Sequence, residues 1–159
     1  MGCDATNSNA VTRVYEIKQR PESKSLIILV DSLAMLREIV KEIPDQIIEF
    51  LNLSTKPTTV IYKNPAGLAA NVVAADQTVA IRIVDDEFCQ RLIFDFGRPI
   101  VSTSANLSGE TPPLNFEQIN HDLLEKTDYI VNLSRNKNQN TASQIVKIND
   151  LGEIEFLRK

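Results

Sequence analysis

The chain has 159 residues, 43% of them apolar, with a formal net charge of −4 and two cysteines. That length suits one domain with one continuous core, and no run approaches the roughly 18 apolar residues of a membrane-spanning helix. The sequence therefore predicts a soluble, cytoplasmic protein without a secretory leader, and its acidic balance argues against broad phosphate-backbone binding while leaving room for a local basic pocket.

In chain order, Asn7 and Ser8 offer caps for a helix over 6–18 whose Val11, Val14, Tyr15 and Ile17 fall near one stripe. Ser25 to Val30 (SLIILV) reads as a buried strand, and Asp31-Ser32 caps a second amphipathic helix through Leu33, Leu36, Ile39 and Val40. A third helix follows Pro44. Thr58 to Lys63 and Val79 to Val84 are β-branched strands, separated by a loop at Asn64 to Gly67. Asp85-Asp86 opens the clearest helix, with Phe88, Cys89, Leu92, Ile93 and Phe96 at helical spacing and Gly97 as its stop. A strand at Pro99 to Thr103 enters a loop at Ser104 to Pro113. Beyond it the pattern predicts a helix at Phe116 to Lys126, a strand at Tyr129 to Leu133, a polar loop over 134–140, and a hairpin of Gln144 to Ile148 with Ile154 to Leu157 around 149–152. Interleaved strands and helices without a fixed repeat indicate a single α/β domain with a mixed sheet, and no glycine-rich phosphate loop points to a regular doubly wound fold.

Chemistry concentrates in two places. Ser102 to Gly109 (STSANLSG) puts hydroxyls, an amide and backbone N–H groups directly after an apolar strand, where α/β sheets bind ligands; a simple polar turn is the plainer explanation. Lys18, Arg20 and Lys24 place three cations at a helix end, where they also suit the helix dipole. Arg82 interrupts an apolar strand and needs an anionic partner, either Asp85, Asp86 or a ligand. His121 is expected on a polar surface, so no histidine-based triad or metal cluster is predicted, and Cys3 and Cys89 lack the spacing of a zinc or redox pair.

These pieces occur in one order: K-x-R-P at Lys18 to Pro21, S-K-x-L at Ser23 to Leu26, A-I-R-[IV] at Ala80 to Ile83, and P-[IL]-V-S-T-S-A-N-x-S-G at Pro99 to Gly109. The pattern resembles the YrdC-like family, the bacterial threonylcarbamoyl-AMP synthases, over nearly the whole chain. The resemblance implies a twisted mixed sheet flanked by helices with a concave, positively charged cavity, 1–159 forming one YrdC-like domain. It implies a reaction of L-threonine, bicarbonate and ATP, with Mg²⁺, to threonylcarbamoyl-adenylate and pyrophosphate for tRNA modification. By motif position, Lys18 and Arg20 are the cations on ATP phosphates and reacting groups, and Ser104 and Asn106 are nucleotide contacts. Thr59, in the P-x-T position, with Arg82 and Ser143, lines the substrate cavity, and Arg158 of the L-R-P-G position contacts nucleotide.

Two departures accompany the resemblance. The family's P-T-[DE]-T-x-Y-G-L segment is expected directly before Gly2-Cys3-Asp4, so the chain reads as lacking that N-terminal segment; the family's S-T-[IV]-V-D is here Ser143-Gln144-Ile145-Val146-Lys147. Two readings stay open: an enzyme domain acting with downstream tRNA-modification proteins, or a non-catalytic member that binds nucleotide, tRNA or double-stranded RNA.

Overall fold

A computed structural model of the protein describes residues 1–138, 142–149 and 151–159. The elements are β1 (Gly2–Asp4), α1 (Ser8–Lys18), β2 (Ile27–Val30), α2 (Leu33–Ile39), α3 (Asp45–Leu53), β3 (Thr58–Lys63), β4 (Thr78–Ile83), α4 (Glu87–Phe96), β5 (Ile100–Ser102), α5 (His121–Glu125), β6 (Gln144–Ile148) and β7 (Ile154–Arg158). Capping fixes several boundaries. Asn7 accepts from the Asn9 and Ala10 amides at the start of α1, Ser32 from the Met35 amide, and Asp86 from the Cys89 amide, while Gly97 closes α4 at φ 68°.

The seven strands form one mixed sheet in the order β1-β5-β2-β4-β3-β6-β7. β2–β4 and β3–β6 are parallel and the other pairs antiparallel. Period-two alternation sorts the side chains. Val30, Val60, Ile81, Val101 and Val146 pack with Val11, Val14, Leu36, Ile39 and Ile47 of the first three helices. On the reverse face, Leu29 and Ile100 meet Ile93 and Cys89 of α4. This face carries a cross-sheet row, Ile100–Leu29–Arg82, followed on the next strand by Thr59 and then Ile145.

Two expectations differ. Tyr129 to Leu133 is irregular, with Tyr129 80% exposed, because the sheet already ends at β1 and β7 and offers that stretch no partner. The helix expected at Phe116 to Lys126 divides into a 3-10 turn at Phe116–Gln118 and the short α5, since the Asn120 side chain accepts from the Asp122 amide and restarts the helix. Residues 139–140 of the predicted polar loop and residue 150 of the predicted hairpin turn lie outside the described residues. No helix among the described residues is long and apolar enough to cross a membrane.

Candidate nucleotide site

Lys18 ends α1 and is 1% exposed. It continues the buried stripe Val11–Val14–Tyr15 by one more turn, which carries its ammonium inward instead of into solvent. Its Nζ donates to the carbonyl oxygens of Ser104 at 2.5 Å and Asn106 at 2.6 Å, and its own carbonyl accepts from the Ser108 amide at 2.8 Å. One residue thus clasps the loop after β5 at both ends of its structure. An ammonium has three donors, and the described residues engage two of them. Burial, reinforced by the nearby Arg20 charge, pushes the Lys18 pKa down to about 8.

Asn106 is buried, with its Nδ2 donating to the carbonyls of Leu107 and Glu110 at 2.9 and 2.8 Å. Its Oδ1 is buried without a hydrogen-bond partner, an acceptor in want of a donor. Ser104 is exposed beside it. Gln19, at φ 48°, turns the chain so that Arg20 follows Lys18 back toward the helix, its amide bonding to the Tyr15 carbonyl at 2.9 Å. The Arg20 guanidinium donates to the carbonyls of Lys24 at 3.2 Å and Ser25 at 2.8 Å, and no carboxylate pairs with it among the described residues. The structure therefore brings Lys18, Arg20, Ser104 and Asn106 together.

Arg82 is half-buried, and neither Asp85 nor Asp86 pairs with it. Asp86 is occupied as the α4 cap, accepting from the Cys89 amide at 2.9 Å, and Asp85 is exposed. Burial lowers the Arg82 pKa, opposed by Cys89, so this cation lies on the reverse face with no anion from the described chain.

Three residues expected on ligand bond to one another here. Thr59 is 0% exposed, and its hydroxyl lies 2.9 Å from that of Ser143, itself 5% exposed. Arg158, expected on nucleotide, instead donates through Nε and a terminal nitrogen to the Ser143 carbonyl at 2.9 and 2.6 Å, with a longer 3.3 Å contact to its hydroxyl. β7 is antiparallel to β6, and the register shift at Ile145/Val146 brings Arg158 back over the start of that strand. Thr59, Ser143 and Arg158 thus form one hydrogen-bonded group that joins β3, the start of β6 and β7.

Sequence patterns missed two supports. The Tyr15 hydroxyl donates toward the carbonyls of Lys24 and Asn71, bracing the Arg20–Ser25 turn; its place on the buried stripe of α1 was the available signal. Gln144 Nε2 donates to the hydroxyls of Ser54 and Thr58 at 2.9 and 2.7 Å, tying the entry of β3 to β6. His121 is on the surface, 3.2 Å from Glu125. No three metal-ligating side chains converge among the described residues. A cavity of about 750 Å³ opens elsewhere, lined by none of the candidate site residues.

The geometry sets the cations Lys18 and Arg20 beside the loop after β5 of a mixed α/β sheet. A family model, Sua5/YciO/YrdC, described as telomere recombination, matches residues 1–159, and the chain belongs to that family. It is similar to the threonylcarbamoyl-AMP synthase of Vibrio vulnificus (strain YJ016), 34% identical over 126 residues, 77% of this chain and 68% of the relative. The enzyme of the same name from Pseudoalteromonas translucida (strain TAC 125) is 33% identical over 134 residues, 82% of this chain and 72% of the relative. The crystal structure of P. abyssi Sua5 complexed with L-threonine matches with a TM-score of 0.86 at 27% identity, over 99% of this chain and 48% of that one. The chain thus spans about half of that protein.

Proposed function

We propose that this chain is the nucleotide-handling domain of a cytoplasmic L-threonylcarbamoyladenylate synthase. The observation that carries this reading is the buried Lys18 ammonium, fastened to Ser104 and Asn106, beside an Arg20 without a carboxylate partner among the described residues. Threonine and bicarbonate give N-carboxythreonine and water; a carboxylate oxygen of that carbamate then attacks the α-phosphorus of ATP, and pyrophosphate leaves. No protein nucleophile is needed, so the protein's share is alignment and neutralisation of phosphate charge. Lys18 and Arg20 supply the charge, Ser104 and Asn106 orient the nucleotide, and Arg82 offers a further cation for a carboxylate or phosphate. Since no three metal-ligating side chains converge among the described residues, Mg²⁺ in this reading arrives on the triphosphate. The product would pass to downstream proteins that transfer the threonylcarbamoyl group to tRNA.

The hydrogen-bonded Thr59–Ser143–Arg158 group favours a second reading, a member that binds nucleotide, tRNA or double-stranded RNA without turnover, because these three polar residues bond to one another. Incubating the chain with ATP, bicarbonate and labelled threonine decides between them. Threonine-dependent pyrophosphate release supports the synthase. ATP or RNA binding by folded protein without release supports the second reading.

A further inference from the structure

β1 bounds one side of the sheet, and its outer edge has no partner strand among the described residues. The register tells which backbone groups that edge offers. Met1 and Thr103 exchange two hydrogen bonds, and the Ala5 amide donates to the Pro99 carbonyl, so by antiparallel alternation Met1, Cys3 and Ala5 face β5. Gly2 and Asp4 therefore point outward. The Asp4 carbonyl accepts from the Asn7 amide, which leaves the Gly2 N–H, the Gly2 C=O and the Asp4 N–H as an open row, with Gly2 itself exposed.

A groove of about 310 Å³ lies against this edge, between Met1–Cys3 on one side and Lys126–Tyr129 on the other. Its floor is one face of α1, where Ala10, Arg13, Val14 and Ile17 recur at i, i+3, i+4 and i+7. Ala10 and Ile17 are only half-buried, and Ile17 belongs to neither core cluster, so the floor keeps accessible apolar surface. The far wall is held in place by Arg13, which pairs with Asp128 at 2.9 Å and donates to the Lys126 carbonyl at 3.1 Å. That wall leads directly into Tyr129 to Leu133, the stretch with the composition of a strand but no strand pairing. Its Tyr129, Ile130, Val131 and Leu133 side chains are all exposed, and its backbone makes no hydrogen bond to a described residue. The β1 edge and this stretch thus share one deficiency: each lacks a neighbouring strand, and the groove separates them. Donors and acceptors spaced along an extended backbone are matched by another extended backbone. Because the groove is walled on both sides, the β1 or β7 edge of a second copy would bring its own adjoining strand and helices against the far wall, whereas a lone segment fits between.

We propose that this groove is a docking site for an extended peptide segment, which inserts as a strand between β1 and Tyr129 to Leu133 and pairs with both. Alternate side chains of the segment are apolar and lie on Ala10, Val14 and Ile17. The sheet thereby grows by two strands, the docked segment and the stretch that had no partner. The site stands independently of the nucleotide reading.

Titration of the ¹⁵N-labelled chain with a capped peptide in which valine alternates with threonine between terminal lysines, followed by amide chemical shifts, tests this. The expected result is saturable movement at Gly2, Asp4, Ile130 and Val131. Hydrogen exchange at the Gly2 and Asp4 amides should slow at least about ten-fold, while Cys3, whose amide already faces β5, keeps its rate. The same peptide methylated on its valine nitrogens retains every side chain but loses donors, and should bind about ten-fold more weakly, the worth of one or two hydrogen bonds. The double change Ile130→Pro/Val131→Pro alters an exposed, irregular stretch and removes a donor whichever edge of it faces the groove; it should leave the rest of the free spectrum unchanged and weaken binding by a similar factor. The proposal is overturned if the Gly2 and Asp4 amides do not move, if the methylated peptide binds equally well, or if the double proline variant binds like the parent. It is equally overturned if the same amides move with protein concentration alone, which makes a second copy the occupant.

Discussion

Arg158 grips the carbonyl oxygen of Ser143 with two nitrogens, at 2.9 and 2.6 Å, and so fastens the last strand of the sheet to the first residue of the network around Thr59. A charged donor to a carbonyl contributes on the order of 1.5–3 kcal/mol. Arg158→Ala should lower the unfolding free energy by an amount in that range, read from chemical denaturation. Arg158→Lys should recover little of it, because an ammonium lacks the planar fork that reaches one oxygen twice.

The hydroxyls of Thr59 and Ser143 are each other's partners in a buried setting. Thr59→Val or Ser143→Ala alone leaves one buried hydroxyl short of a partner and should cost about 1–3 kcal/mol. The double variant should cost clearly less than the sum. Additive single costs in the denaturation cycle would show that the two groups are not coupled.

Lys18 titrates at about 8 in the folded chain against 10.5 for an ordinary lysine. Between those values the unfolded chain holds more protons, so the Lys18 contribution to stability rises with pH across that window. Ligand binding has the opposite slope, because only the ammonium attracts phosphate. ATP affinity measured by calorimetry should fall by up to roughly ten-fold from pH 7 to pH 9, consistent with a pKa near 8. In Lys18→Met the affinity should be low and flat over the same range.

Arg20 uses its guanidinium on two carbonyls of an exposed turn. Arg20→Ala should weaken ATP binding about ten-fold, within the range for a charge-assisted contact, with a thermal midpoint within a degree or two of the parent's. An unchanged affinity removes Arg20 from the site.

Two glycines separate backbone conformation from close packing. Gly97 closes α4 at φ 68° with open space around it, so Gly97→Ala should cost about 1–2 kcal/mol through the left-handed backbone alone. At Gly2 a Cβ would collide with the carbonyl oxygen of Val101, so Gly2→Ala should unpair β1 from β5. Hydrogen exchange at the Cys3 and Val101 amides should then accelerate far more than at Ile81.

Much of this architecture is legible in short-range pattern. Asn7, Ser32, Asp86 and Gly97 mark helix ends by local hydrogen bonding or backbone freedom, and the β-branched run Thr58 to Lys63 is a strand over its full length. Tyr129 to Leu133 carries similar residue types but no strand, because a strand depends on a neighbour that its own residues do not specify. Lys18 and the Ser104–Asn106 loop stand out as motifs, whereas their direct contact spans 86 and 88 positions and depends on how α1 sits against the loop after β5. The roles of Thr59 and Arg158 were the least legible, since a hydroxyl or guanidinium reads the same whether it faces a ligand or another residue.

Thr59 waits 84 positions for Ser143, whose carbonyl Arg158 in turn grips. Pairings of such sequence separation form late, because the loop must close before its contacts stabilise it. During synthesis the central strands β2, β3 and β4 are present well before β6 and β7 exist to cover the edge of β3. A chain arrested before the final hairpin would thus expose β3 and leave the Thr59 hydroxyl without its partner. Quality control of a truncated translation product would meet an uncovered sheet edge at β3.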